Sequence, residues 1–167
     1  LEFSRLAEPF ATDGEFIPWL ERVIAYRRAS SQPPRDAIRA GLQESIASGT
    51  TLLGEIATTG WEPDDYRVPH GPRVVVFQEL LGLAETRERE LQTLAADHLQ
   101  CPRLDRDPIT RWGLSPHAPY TVTPAVLLAA RELVAAERTG CLAIHLAELD
   151  AERELLSSGQ GPLRAFL

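Results

Sequence analysis

From Thr50 onward, short apolar runs alternate with longer amphipathic stretches, the pattern of strand–helix–strand units around a parallel sheet. The short runs place strands at Thr50–Ile56, Arg73–Phe77, Ile109–Leu114 and Cys141–Leu146. Val74-Val75-Val76-Phe77 and Leu142-Ala143-Ile144 are apolar without a break, where a sheet with one wet face would alternate. Both faces are therefore expected to be covered, by helices or by a barrel interior.

Between the strands, apolar residues recur at helical spacing: Ile38, Leu42 and Ile46 in one segment, Val126, Ala130, Leu133 and Val134 in another. The ends agree. Thr123 is placed to cap a helix with Pro124 at its first position, Pro34 and Asp36 suit a first turn, and Gly49 and Gly140 stand where helices should stop. Arg87, Leu91, Leu94, Ala95 and His98 form a weaker stripe within Ala84–Gln100, and Pro18–Arg28 reads as a helix between an irregular opening, Leu1–Ile17, and a turn at 30–34. Trp61–Pro72, with three prolines, reads as a loop with one irregular turn. Four strands, plus one expected before Leu1, make about five consecutive βα units. A closed eight-unit barrel takes about 250 residues, so residues 1–167 are expected to be a single, incomplete domain of the parallel (β/α)8 TIM-barrel type. An open doubly wound sheet is the alternative that pattern leaves standing.

Composition narrows the function classes. Of 167 residues, 44% are hydrophobic, enough for a core. The 17 basic residues, all arginine, are scattered among 24 acidic ones for a net charge of -7, which argues against a nucleic-acid partner. No apolar run approaches the roughly 20 residues of a membrane span. Cys101 and Cys141 lack the spacing of a thiolate metal cluster or a disulfide framework, so a reducing, cytoplasmic setting is expected. Methionine is absent, which reads as a piece of something longer.

The candidate chemistry lies in Gly113–Pro124 and Cys141–Glu148. In each, a histidine, His117 or His145, stands just past the C-terminal end of a strand, where α/β folds place their ligands. A core histidine satisfied by backbone is the structural alternative for His145, and a loop brace for His117. Glu148, three residues after His145, favours function: a neutral imidazole binds a divalent metal, and a carboxylate in a partly dehydrated cleft handles the proton of the metal's water. Two residues do not make a site, since a catalytic zinc takes three or more protein ligands. Glu79 ends a strand and lines the same mouth or makes a salt bridge. Ser115 reads as a turn residue before Pro116, without the G-x-S-x-G surroundings of a nucleophile. His70 has turn composition and His98 sits near a helix end where an imidazolium suits the dipole, so both read as structural or solvated; Trp19, Trp61 and Trp112 read as packing anchors.

Ser-Pro-His-Ala-Pro-Tyr-Thr-Val at 115–122 together with Ile-His-Leu-Ala-Glu at 144–148 resembles the amidohydrolase superfamily, in its cytosine deaminase-like and chlorohydrolase-like branch. Leu1–Leu6 resembles the stretch just after that family's first-strand H-x-H pair, and Val74–Gly82 resembles its third strand. The resemblance implies that His145 is a metal ligand, that Glu148 is the catalytic acid/base, and that His117 contacts substrate. It implies one divalent metal ion, zinc ahead of iron, and a small-molecule substrate. The H-x-H ligands would lie before Leu1, and a later histidine and aspartate beyond Leu167. A chain without lysine lacks the modified lysine with which some members bridge two metals, which favours a single-metal site.

Two readings result. The first is an amidohydrolase acting on a non-peptide carbon–nitrogen bond, deaminating a small heterocyclic or amine substrate through metal-activated water, with this stretch inactive alone. The second is a non-catalytic α/β scaffold that binds a ligand or partner chain. An incomplete barrel exposes two sheet edges, which self-association into a homo-oligomer would cover.

Overall fold

The computed structural model describes residues 1, 15–29, 34–101, 109–138 and 140–167, so residues 2–14 of the opening and 30–33 of the turn lie outside the described residues. Helices α1 (Phe16–Ala29) and α2 (Arg35–Ala47) precede strands β1 (Leu52–Ala57) and β2 (Arg73–Leu80). Then come α3 (Glu88–Leu99), β3 (Ile109–Pro116), α4 (Pro124–Ala136), β4 (Cys141–Leu142), α5 (Asp150–Ser158) and α6 (Pro162–Phe166). One compact unit, Pro34–Leu146, holds the sheet with α2, α3 and α4; a second holds Ala147–Leu167 and α1. Among the described residues, no helix is long and apolar enough to cross a membrane.

All strand pairs are parallel and the order in space is β1-β2-β3-β4, the order in sequence. A doubly wound sheet reverses its order at a switch point; a (β/α)8 barrel does not. The fold is therefore α/β of the TIM-barrel type, incomplete in this chain. The β1–β2 connection carries only a 3₁₀ turn at Pro63–Tyr66, as its prolines predict. There Asp65 is buried, accepting the Glu62 N–H at 2.8 Å and pairing with Arg35 of α2 at 2.6 Å.

Helices cover one face of the sheet. Ile38 and Leu42 of α2 pack with Ala57, Tyr66, Val74, Val76, Ile109 and Trp112. Leu91 and Ala95 of α3 and Val126 and Ala130 of α4 pack with Leu80, Leu114 and Val122. The weaker stripe thus resolves onto Leu91, Ala95 and His98. Thr123 caps α4 through the Val126 N–H, as expected, and its hydroxyl donates to Glu88 at the start of α3 at 2.6 Å.

The other face corrects the expectation of full coverage. Along β2, Val74, Val76, Gln78 and Leu80 are buried, while Val75, Phe77 and Glu79 are only partly so. Along 141–146 the even residues Leu142, Ile144 and Leu146 are exposed. An unbroken apolar run marks a strand that needs covering on both faces, but the covering groups come from elsewhere in the sequence. Phe77 is the main occupant of the less covered face. Its ring lies against Gly54 of β1 and Gly113 of β3, the two neighbours that present no side chain to it.

β4 is also shorter than the predicted Cys141–Leu146, and the reason lies in its neighbour. Gly113 pairs with Cys141 and Leu114 with Leu142, and the Ala143 N–H reaches Leu114 O at 3.0 Å. In a regular parallel ladder, Ala143 O would next accept from residue 116. Residue 116 is proline and has no N–H, so the ladder ends. The His145 N–H then bonds His117 O at 2.9 Å, one residue beyond the regular partner. Trp61 and Trp112 are stacked anchors, with centroids 6.0 Å apart, whereas Trp19 is exposed and anchors nothing by burial.

A Cβ on Gly113 would stand 2.5 Å from Phe77 Cδ1 and 2.9 Å from Cys141 O. Gly113→Ala is therefore expected to lower stability by about 1–3 kcal/mol in urea unfolding, with part of the loss recovered when Phe77→Leu is added. A Gly113→Ala midpoint equal to wild type would refute this packing.

Candidate functional site

His117 follows the last residue of β3, and its N–H still bonds Leu80 O at the end of β2, at 3.0 Å. The chain then turns tightly. Thr121 N–H bonds Ala118 O at 3.0 Å, while Thr121 Oγ1 accepts the Ala118 N–H at 3.1 Å and lies 3.1 Å from Ala118 O. A threonine hydroxyl closing such a turn on its own backbone is a local side-chain-to-main-chain device. Thr121 Oγ1 is also 2.8 Å from His117 Nδ1. With the hydroxyl proton on Ala118 O, the His117 ring donates from Nδ1 and its Nε2 carries the lone pair. Beyond the turn, Thr121 O accepts the Gly82 N–H at 2.9 Å, and Val122 bridges to Gly82, tying the loop to the chain just after β2.

His145 is brought to the same place. Its ring lies 4.8 Å from that of His117, tilted by 33°. Its Nδ1 is 3.0 Å from His117 O, the oxygen that also accepts its main-chain N–H. A carbonyl only accepts, so Nδ1 carries the proton, and in the neutral ring Nε2 carries the lone pair. A metal-ligating histidine has this arrangement: one nitrogen is anchored by a hydrogen bond, which fixes the tautomer and aims the other. The residue fits a divalent ion as one ligand. Among the described residues, no group of three or more His, Cys, Asp or Glu could hold a metal ion.

Glu148 belongs to the second compact unit and is described there. Its side chain is exposed, in contrast to the partly dehydrated cleft expected from the sequence; the described residues do not cover it. Its N–H is held at 2.8 Å by the buried carboxylate of Glu152 at the start of α5.

Other candidates resolve plainly. Glu79 is the next-to-last residue of β2, opposite Ser115 in the register. Ser115 is not in a turn: it lies inside β3, fully buried, and its hydroxyl has no hydrogen-bond partner among the described residues. Its place before Pro116 suggests a turn only when the strand's length is misjudged. His70 is exposed in a turn at φ 57°, as its surroundings predict. Of its two expected roles, structural or solvated, His98 takes the structural one: it is buried, its Nε2 lies 3.1 Å from Val76 O, and its ring meets Trp112 and Trp61 edge to face. Burial pushes its pKa below the ordinary value, against the backbone hydrogen bonds from Val76 and Gly113 that raise it. Burial likewise pushes the Cys101 and Cys141 thiols up, which favours the protonated form over the thiolate.

Thr121 and Glu152 were missed in the sequence. Their signals were present: a hydroxyl three residues after Ala118 in a Pro-flanked turn, and a glutamate at the third position of a helix.

The amidohydrolase family model matches residues 11–161. An aminodeoxyfutalosine deaminase of Nitratiruptor sp. is 30% identical over 156 residues, 92% of this chain and 38% of its own. That of Deinococcus radiodurans is 34% identical, with 89% and 35% covered. A 5-methylthioadenosine/S-adenosylhomocysteine deaminase of Moorella thermoacetica is 30% identical, with 93% and 36% covered. The crystal structure of Helicobacter pylori aminofutalosine deaminase in complex with methylthio-coformycin shares the fold, with a TM-score of 0.81 at 23% identity over 99% of this chain and 39% of that one. The chain thus spans little more than a third of the length of the curated relatives it matches.

The lowered His98 pKa fixes a sign for pH dependence. Above the ordinary value of 6.5 the ring is neutral in the folded and unfolded chains alike, and its contribution is fully present. Below it the unfolded chain takes up a proton that the folded state refuses until its own lower pKa, so stability falls across that interval. His98→Gln keeps a donor without titrating. Urea unfolding from pH 7.5 to 5 should show the wild type losing more stability than this variant on the way down, and parallel curves would show His98 to be unperturbed.

Proposed function

Since the chain belongs to the amidohydrolase family, we propose that the intact protein is a metal-dependent deaminase, of which residues 1–167 form part of one (β/α)8 domain. The substrate we infer is a small amine-bearing heterocycle, most specifically an adenosine-type nucleoside, the class named in three of the deaminase relatives. The observation that carries the reading is the bond from His145 Nδ1 to His117 O, which leaves Nε2 to ligate. His145 would hold one divalent ion, zinc before iron, together with ligands outside the described residues. Such an ion supplies a water of lowered pKa and a positive charge that offsets charge developing on the substrate.

The chain's own residues do the rest. His117, braced by Thr121, presents its ring beside that of His145 and would contact the substrate heterocycle. Glu148 takes a proton from the attacking water and delivers one to the departing amine. Water adds at the carbon, the carbon–nitrogen bond breaks, and ammonia and the carbonyl form of the ring result. We also assign the protein to the cytoplasm, with Cys101 and Cys141 as free thiols, and expect self-association to cover its open sheet edges.

In the intact protein, Glu148→Gln is expected to retain wild-type metal content while kcat for ammonia release from 5-methylthioadenosine falls about 10²–10⁴-fold. His145→Ala is expected to lower the bound zinc or iron measured by elemental analysis. Undiminished turnover in Glu148→Gln would refute the acid/base role. A metal-free protein without turnover on any nucleoside would favour the binding scaffold.

A further inference from the structure

Glu152 is 2% exposed, yet it is a carboxylate on the first turn of a surface helix. Its two oxygens divide between successive main-chain donors: Oε1 accepts the Ala147 N–H at 3.1 Å and Oε2 the Glu148 N–H at 2.8 Å. In the usual capping box, a glutamate at this third helical position reaches back to the N-cap N–H. Here the N-cap is Leu149, and the carboxylate reaches one and two residues further back.

The geometry of that reach is specific. The Ala147 N–H belongs to the peptide plane before Ala147, and the Glu148 N–H to the plane after it. Gripping both fixes φ and ψ of Ala147 from its two sides. Ala147 stands at φ 58°, in the left-handed region that residues with a Cβ rarely adopt. Something must hold it there, and the buried carboxylate is placed to do so, helped by the positive end of α5. Since N and Cα of Glu148 both lie in the second gripped plane, the brace fixes the bond axis from which the Glu148 side chain leaves the backbone.

We propose that Glu152 is a positioning residue for Glu148: it clamps the left-handed turn at Ala147 and thereby fixes the orientation of the proton-transferring carboxylate. This rests on the acid/base reading of Glu148 given above. Glu152 touches neither substrate nor metal in this role and acts only through its neighbour's backbone.

The test uses Glu152→Gln in the intact protein, which keeps the size and one acceptor oxygen but turns an amide NH₂ toward a main-chain N–H. The expected result is a kcat about 10–100-fold below wild type per folded molecule, with KM for 5-methylthioadenosine and metal content unchanged. A merely structural glutamate would lower the melting temperature and the folded yield but not kcat per folded molecule. Amide hydrogen exchange gives a second reading independent of turnover: protection at Ala147 and Glu148 should drop in Glu152→Gln while protection in β2 and β3 stays. Wild-type kcat in the variant, or unaltered protection at both amides, would overturn the positioning role alone. Absence of turnover in the wild type would overturn the acid/base reading of Glu148 and the positioning role with it.

Discussion

Ala143 and His145 read two different registers of the same neighbouring strand, and the residue between those registers is Pro116. A parallel ladder continues only while each strand alternately donates and accepts. Pro116 has nothing to donate, so the carbonyl of Ala143 loses its regular partner and the next bond forms one residue further along, at His117 O. That slip gives the candidate site its form. The carbonyl that would have served the sheet instead takes both the main-chain N–H and the ring Nδ1–H of His145, using its two lone pairs on one residue.

The sheet beneath depends on a different constraint, the space above Gly113. Phe77 is the largest side chain on the face that helices leave open, and it fits because its partner on β3 is Gly113, while on β1 its ring reaches toward Gly54, two residues before its register partner Ile56. The helix-covered face is packed in the ordinary way, large aliphatics from α2, α3 and α4 against alternate strand residues. The two faces are therefore packed by different means: dense burial on one, a single ring seated over Gly113 on the other.

Much of this was legible from residue pattern, and what was not shares a cause. β2 and β3 are where their apolar runs put them, and α4 begins at Thr123-Pro124, because those signals are local to each element. The length of β4 was not legible from its own residues: Leu142-Ala143-Ile144 has every property of a strand interior, and the limit is imposed by a proline twenty-six positions earlier. Full coverage of both faces was misread for the same reason, since an apolar run states a need and not who meets it. His117 and His145 were legible as a pair by their positions at strand ends. Their contact, and the tautomer it imposes, required knowing which carbonyl the slipped register would free. Ser115 was misplaced in a turn because the proline after it looked like a boundary, when β3 runs through both.

A carbonyl is a more constant partner for a ligating imidazole than a carboxylate would be. It has no proton to share and no charge to screen, so the His145 tautomer it selects holds at any pH at which the ring is neutral. It also couples the two histidine rings through one residue, for the carbonyl that aims the His145 ring is flanked by the Cα that carries the His117 ring. That ring is in turn braced by Thr121, whose carbonyl is bonded to Gly82 just beyond β2. A displacement at any link, from Gly82 to Thr121 to His117 to His145, passes to the next through one hydrogen bond or a few covalent ones. The loop that carries the His117 ring and anchors that of His145 is thus tied to the end of β2, the strand paired on both sides, and not only to the short β4 beside which His145 stands.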